Sequence, residues 1–147
     1  MEIKIAKPPI YDSACSAFKI NPETVLFTYG DTIYNPGGVN LSDDLIKHEE
    51  VHAEQQNHND EEAALWWGKY LRDPEFRLKQ EVEAYGKQYW YICRYKTSNK
   101  QTQFTILKRF AQILSGPLYG ECVGLLRAMQ LIKEQSYAYN SQIHKNV

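Results

Sequence analysis

The stretch LSDDLIKHEEVHAEQQ, Leu41 to Gln56, decides how the chain is read. Ser42 is a predicted N-cap, with Asp43 and Asp44 in the first turn, where the helix dipole favours carboxylates. Leu41, Leu45, His48 and His52 follow an i, i+4, i+7, i+11 spacing, so the histidines continue the face that the leucines bury. Histidines four apart on a helix differ by about 40° of rotation and one turn of rise, so both rings project to one side. Two such rings can hold one Zn2+. Glu49 is displaced by about 100° from His48 and about 60° from His52. From there it reaches a water at the metal without being a ligand, and can take its proton as the water attacks a carbonyl. The competing reading is a coincidental HExxH in a polar helix. The leucine-marked face weighs against it, because solvated histidines would lie opposite.

A catalytic zinc usually has three protein ligands and one open position. Two candidates compete for the third. His58 sits six residues after His52, as in HExxHxxGxxH, but Gln55 stands where that pattern has its turning glycine. No Met-turn follows either, since Met129 falls inside a helical stripe. The second candidate lies in EVEAY, Glu81 to Tyr85. Around a helix Glu81 is about 40° from Tyr85 and about 60° from Leu78, beside a buried stripe, whereas Glu83 is about 160° from Tyr85, toward solvent. A carboxylate near a buried face needs a partner. A metal is one, and a salt bridge to a lysine or arginine is another. Glu81 is the expected ligand and His58 the alternative.

The rest of the chain supplies the frame. Ile3 and Ile5 alternate with charged residues as a short strand, and Ile10 to Phe18 reads as a short helix. Val25 to Tyr29, then Gly30-Asp31, then Thr32 to Tyr34 reads as a hairpin with glycine at a positive-φ position. The HEEVH helix is predicted to end near Gln56 to His58. Asn59 and Glu62 have capping-box spacing, and Asp73-Pro74 opens a helix with the stripe Leu78, Val82, Tyr85, Tyr89, Ile92. Phe104, Leu107, Ala111 and Leu114 mark a further helix. After a break at Ser115 to Gly120, Cys122, Leu125, Leu126, Met129 and Ile132 mark the last. Residues 136–147 are polar and expected to fray. Strands first and helices after predict one α+β domain over residues 1–147, mostly helical, with a small N-terminal sheet.

Composition narrows the function classes. At 147 residues and 43% hydrophobic, the chain can bury a core. A net charge of −1 gives no global basic field for nucleic acid, and the carboxylates of Asp43, Asp44, Glu49, Glu50 and Glu54 would repel a phosphate backbone. Lys108-Arg109 reads as a solvated helix face, and Trp66-Trp67 as core packing. No apolar run approaches membrane-spanning length, and MEIKIAKPPI has no apolar signal-peptide region. Three cysteines without a CxxC pair fit a reducing compartment and small buried apolar positions. A cytoplasmic location is expected.

HEEVH followed, 29 positions after His52, by EVEAY resembles the gluzincins, the zincin branch with a glutamate third ligand. Members carry ExxAD or ExxAN on the second helix with the first Glu as ligand; here Tyr85 stands where Asp or Asn is usual. The resemblance implies a zincin-like fold, a Zn2+ held by His48, His52 and Glu81, and Glu49 as general base. It further implies Tyr85 as a hydrogen-bond donor beside the site, and an edge strand at Val25–Tyr29 or Thr32–Tyr34 that binds an extended peptide or protein substrate. A downstream His or Tyr often steadies the oxyanion in such enzymes, which points to Tyr119; a packing tyrosine is the plain alternative. The run from VLFTYGDTIYNP to HEEVH is also similar to zincin-like proteins of bacteriophages. That likeness would put the protein in a host-cell cytoplasm, and raises a rival role: a structural or partner-binding protein that keeps the metal without peptidase activity. A metal-independent interaction domain is the third possibility.

Overall fold

The computed structural model describes residues 1–145, with side chains through Gln142. The order of elements is β1 (Glu2–Lys4), α1 (Tyr11–Ala17), β2 (Phe27–Tyr29), β3 (Thr32–Tyr34), α2 (Asp43–Gln55), α3 (Asp60–Arg72), α4 (Pro74–Tyr95), α5 (Lys100–Leu114), a 3-10 turn (Pro117–Tyr119) and α6 (Leu125–Lys145). The architecture is α+β and mostly helical, as expected.

The sheet has the order β1-β3-β2. β2 and β3 form the expected hairpin, with Tyr29 opposite Thr32 and Gly30 at φ +60°, and β1 adds in parallel to the other side of β3. Thr32–Tyr34 is therefore the central strand and not an available edge, because β1 takes its second side. The free edge of the hairpin belongs to β2. Part of it is covered by one side chain. Gln56, fully buried, accepts from the Gly30 N–H at 2.8 Å and donates to the Thr28 carbonyl at 3.1 Å, as a neighbouring strand would. The Trp67 indole donates to the same carbonyl at 2.9 Å.

Helix ends follow local chemistry. Asn59 caps α3 by accepting from the Glu61 and Glu62 N–H groups, and Asp73 caps α4 likewise from Glu75 and Phe76. Two expected details differ. Ser42 stands at the N-cap of α2 but makes no side-chain capping bond, and Glu62 accepts from Asn57 instead of closing a box with Asn59. The cysteines are not core residues: Cys15 is exposed and the other two are half-buried. Phe104 is exposed, and Phe110 takes its place in the buried stripe with Leu107, Ala111 and Leu114.

α4 is the central post. Its stripe Val82, Tyr85, Tyr89 and Ile92 packs with Leu107, Phe110, Leu114, Ala128 and Ile132 from α5 and α6. A second apolar cluster joins α1, β2 and α3 through Ala14, Phe27, Trp66, Trp67 and Tyr70. α6 approaches α4 closely at Gly86, where a Cβ would overlap the Gln135 side chain. The expected frayed tail from residue 136 is instead helix through Lys145. Polar anchors hold it: Tyr139 donates to the Glu83 carbonyl at 3.0 Å, and Asn140 accepts from the Trp90 indole at 2.8 Å. Among the described residues, no helix is long and apolar enough to cross a membrane.

Candidate metal centre

α2 and α4 lie side by side and bring the three expected ligands together. Single donor atoms of His48, His52 and Glu81 all lie within 4.8 Å of one another, and all three residues are buried. Nε2 of His48 stands 3.2 Å from Nε2 of His52, and the Glu81 carboxylate oxygens lie 3.4 Å and 3.5 Å from them.

The hydrogen bonds behind the rings fix what those atoms are. Gln88 donates its amide to Asp44 at 2.8 Å, which turns its oxygen toward Nδ1 of His48 at 3.1 Å. Gln55 donates its amide to the Gln80 carbonyl and to Glu83, each at 3.1 Å, which turns its oxygen toward Nδ1 of His52 at 2.9 Å. An amide oxygen only accepts, so Nδ1 of each ring carries a proton. In the neutral rings both Nε2 atoms then present lone pairs to each other and to a carboxylate. Glu81 Oε2 has no hydrogen-bond partner among the described residues. Two imidazole lone pairs and a carboxylate this close together, with both rings oriented from behind, form a group that could hold a metal ion.

Without a cation, a proton must serve. Burial pulls His52 down, but the Glu81 charge and its hydrogen bonds outweigh it, and the ring is pushed up to about 9. Burial pushes Glu81 up, and the two histidines more than offset this and hold it well below the usual carboxylate range.

Glu49, one residue from His48, lines the same chamber as the three grouped donors without being one of them. The Thr28 hydroxyl donates to its carboxylate at 2.7 Å, fastening it to β2. Glu81 Oε1 accepts from the Tyr70 hydroxyl at 2.5 Å. Burial, then the Glu81 charge, pushes the Tyr70 phenol well up, so it remains a donor. Tyr85 packs edge-on against the His48 ring, with centroids 4.5 Å apart, and its hydroxyl lies 2.9 Å from that of Tyr119. Burial and Glu81 push the Tyr119 phenol up as well. One buried guanidinium braces both flanking tyrosines: Arg77 donates to the Tyr70 carbonyl at 2.7 Å and the Tyr119 carbonyl at 2.9 Å, and stacks on Phe18.

His58 is not part of the site. Asn57 and His58 both take φ of 51°, which turns the chain toward the hairpin, and His58 pairs with Asp31 at 2.7 Å on the surface. Glu83 is half-buried by Gln55 and not free in solvent. Thr28, Tyr70, Gln55, Gln88 and Arg77 are the supporting residues that sequence reasoning missed. Gln88 alone left a trace, seven residues after Glu81 on the same helical face.

Two spaces meet at the ligands. A chamber of about 60 Å3 is lined by His48, His52, Glu81 and the aromatic cluster of Phe27, Trp66 and Tyr70. A groove of about 710 Å3 runs from His48 and Glu49 past Tyr85 to Ile106 and Arg109 of α5. Glu49, Leu26 and Tyr119 line both. In comparisons with known proteins, the chain matches no protein family, no curated protein and no solved structure.

Proposed function

We propose that the protein is a zinc-dependent metallopeptidase of gluzincin type, with His48, His52 and Glu81 as ligands. The observation that carries this reading is the pair of glutamine oxygens that turn both Nε2 lone pairs onto Glu81, one of whose oxygens is buried without a partner. A mostly helical α+β chain with a short sheet beside the HEEVH helix supports the zincin assignment.

A divalent cation held there would polarise a carbonyl and acidify a water. The chain's own residues do the rest. Glu49, steadied by Thr28, takes a proton from the attacking water and delivers it to the departing amine. Tyr119, kept protonated and set by Tyr85 and Arg77, donates to the oxygen on which negative charge develops. The groove receives an extended peptide, and Val25 and Leu26, which precede β2 on its wall, offer backbone to it beyond the part that Gln56 covers.

Metal analysis of untagged protein and a peptide-cleavage assay test the reading together. The expected result is about one Zn2+ per chain, with cleavage lost in Glu49→Gln while zinc stays bound. Zinc without cleavage of any peptide in a diverse library would leave the partner-binding role. Absence of zinc, with a thermal midpoint indifferent to chelator, would overturn the metal site itself.

A further inference from the structure

A second cleft, of about 490 Å3, opens between the end of α4, the first half of α5 and the middle of α6. It shares no described residue with the chamber or groove at the metal centre. Each helix brings one cation to it: Arg94, Lys100 and Lys133. No carboxylate is among its described lining residues, although the chain carries 18 acidic residues against 17 basic ones. Among the described residues, none of the three cations is in an ion pair. Three unneutralised charges around one concavity suit a multiply charged anion of small size.

Four of the other lining residues are aromatic: Tyr89, Trp90, Phe104 and Tyr137. Trp90 is buried, while Phe104 and Tyr137, on α5 and α6, are 52% and 56% exposed. Exposed rings beside cations are stacking surfaces for a planar ligand. Polar atoms are also on offer. Asn140 spends its oxygen on the Trp90 indole and Gln103 its amide nitrogen on the Thr97 carbonyl. The Asn140 amide nitrogen and the Gln103 oxygen take no partner among the described residues, which leaves one donor and one acceptor for the edge of a ring. The volume lies within the roughly 300–1,000 Å3 typical of small-molecule sites.

We propose that this cleft binds a nucleoside monophosphate, its phosphate among Arg94, Lys100 and Lys133 and its base against Phe104, Tyr137 and Trp90. A dianionic phosphate answers the three cations, and a base supplies the planar face and polar edge that the other walls address. The site is independent of the metal and of the proposed peptidase activity.

Calorimetric titration of the full chain with AMP, adenosine, inorganic phosphate and a single-stranded oligonucleotide tests it, with the Trp90 indole N–H followed by NMR. AMP is expected to bind with saturation and to shift that resonance. Its affinity should exceed that of inorganic phosphate by about 5- to 150-fold, the factor that stacking a base on aromatic side chains contributes. Arg94→Glu and Lys133→Glu, both at exposed positions outside any ion pair among the described residues, should each weaken AMP by about tenfold while the thermal midpoint holds. Phe104→Ala should remove the advantage over phosphate. No AMP binding, equal affinity for AMP and phosphate, or indifference to both charge reversals would each overturn the proposal. An oligonucleotide bound far more tightly than AMP would overturn it too, by making the cleft part of a strand-binding surface.

Discussion

The side-chain oxygen of Gln88 lies 3.1 Å from Nδ1 of His48, and the same amide is held by Asp44 at 2.8 Å. This pair fixes which nitrogen of His48 faces Glu81. Replacing Gln88 by Leu keeps the approximate volume and removes the acceptor, so the ring is free to rotate or change tautomer. Zinc affinity should fall by about 10–100-fold, read by competition with a chelating dye, with the fold intact by circular dichroism. Unchanged affinity would mean that ring orientation is set by packing alone.

The metal-free protein should lose stability with rising pH. His52 has a folded value near 9 against an ordinary 6.5, so its contribution is complete below 6.5 and lost as pH rises through 9. Glu81 is held below its ordinary 4.5, so its contribution is present above 4.5 and lost as pH falls through the lowered folded value. Urea unfolding in chelator should therefore show greater stability at pH 6 than at pH 9.5. Zinc binding at pH 7 should release a proton from His52, seen as a dependence of the calorimetric enthalpy on buffer ionisation.

Tyr70→Phe removes the hydroxyl that donates to Glu81 and leaves a buried carboxylate short of a partner. The metal-free protein should lose about 1–3 kcal/mol in denaturant titrations. The zinc-loaded protein should lose less, because the cation takes up part of the carboxylate charge.

Gln56→Leu should be costly for a different reason. It strips the Gly30 N–H of its buried acceptor and the Thr28 carbonyl of one donor. A loss of about 2–4 kcal/mol is expected from the two backbone groups. An opened β2 edge should also raise aggregation, measured by light scattering.

Tyr119→Phe tests the oxyanion role. If its hydroxyl donates to developing charge, kcat should fall by about 10²–10³ with KM nearly unchanged. A change confined to KM would place Tyr119 in substrate packing instead.

Much of this site was legible because helix periodicity is a local rule. His48 and His52 share a face by their spacing, and Glu81 sits beside the Leu78–Tyr85 stripe by the same geometry. The partners that finish the site come from tertiary placement. Thr28 meets Glu49 across 21 positions and Gln88 meets His48 across 40, and no window of sequence spans such pairs. Gln55 is the instructive case. Its identity argues against His58 as a ligand, and the structure gives it a positive task, steering His52. The C-terminal segment reads as polar because its anchors, Tyr139 and Asn140, act through one hydroxyl and one amide rather than an apolar stripe.

α4 is flanked by α2 on one side and α6 on the other, and the two neighbours leave the ribosome far apart in time. The three candidate metal donors are all made once Glu81 has emerged, but the part of α4 with Gly86 and Trp90 waits for Gln135 and Asn140. During synthesis the nascent chain thus holds His48, His52 and Glu81 while still exposing an apolar flank of its central helix. Chaperone contact should concentrate in that interval, ending when α6 docks.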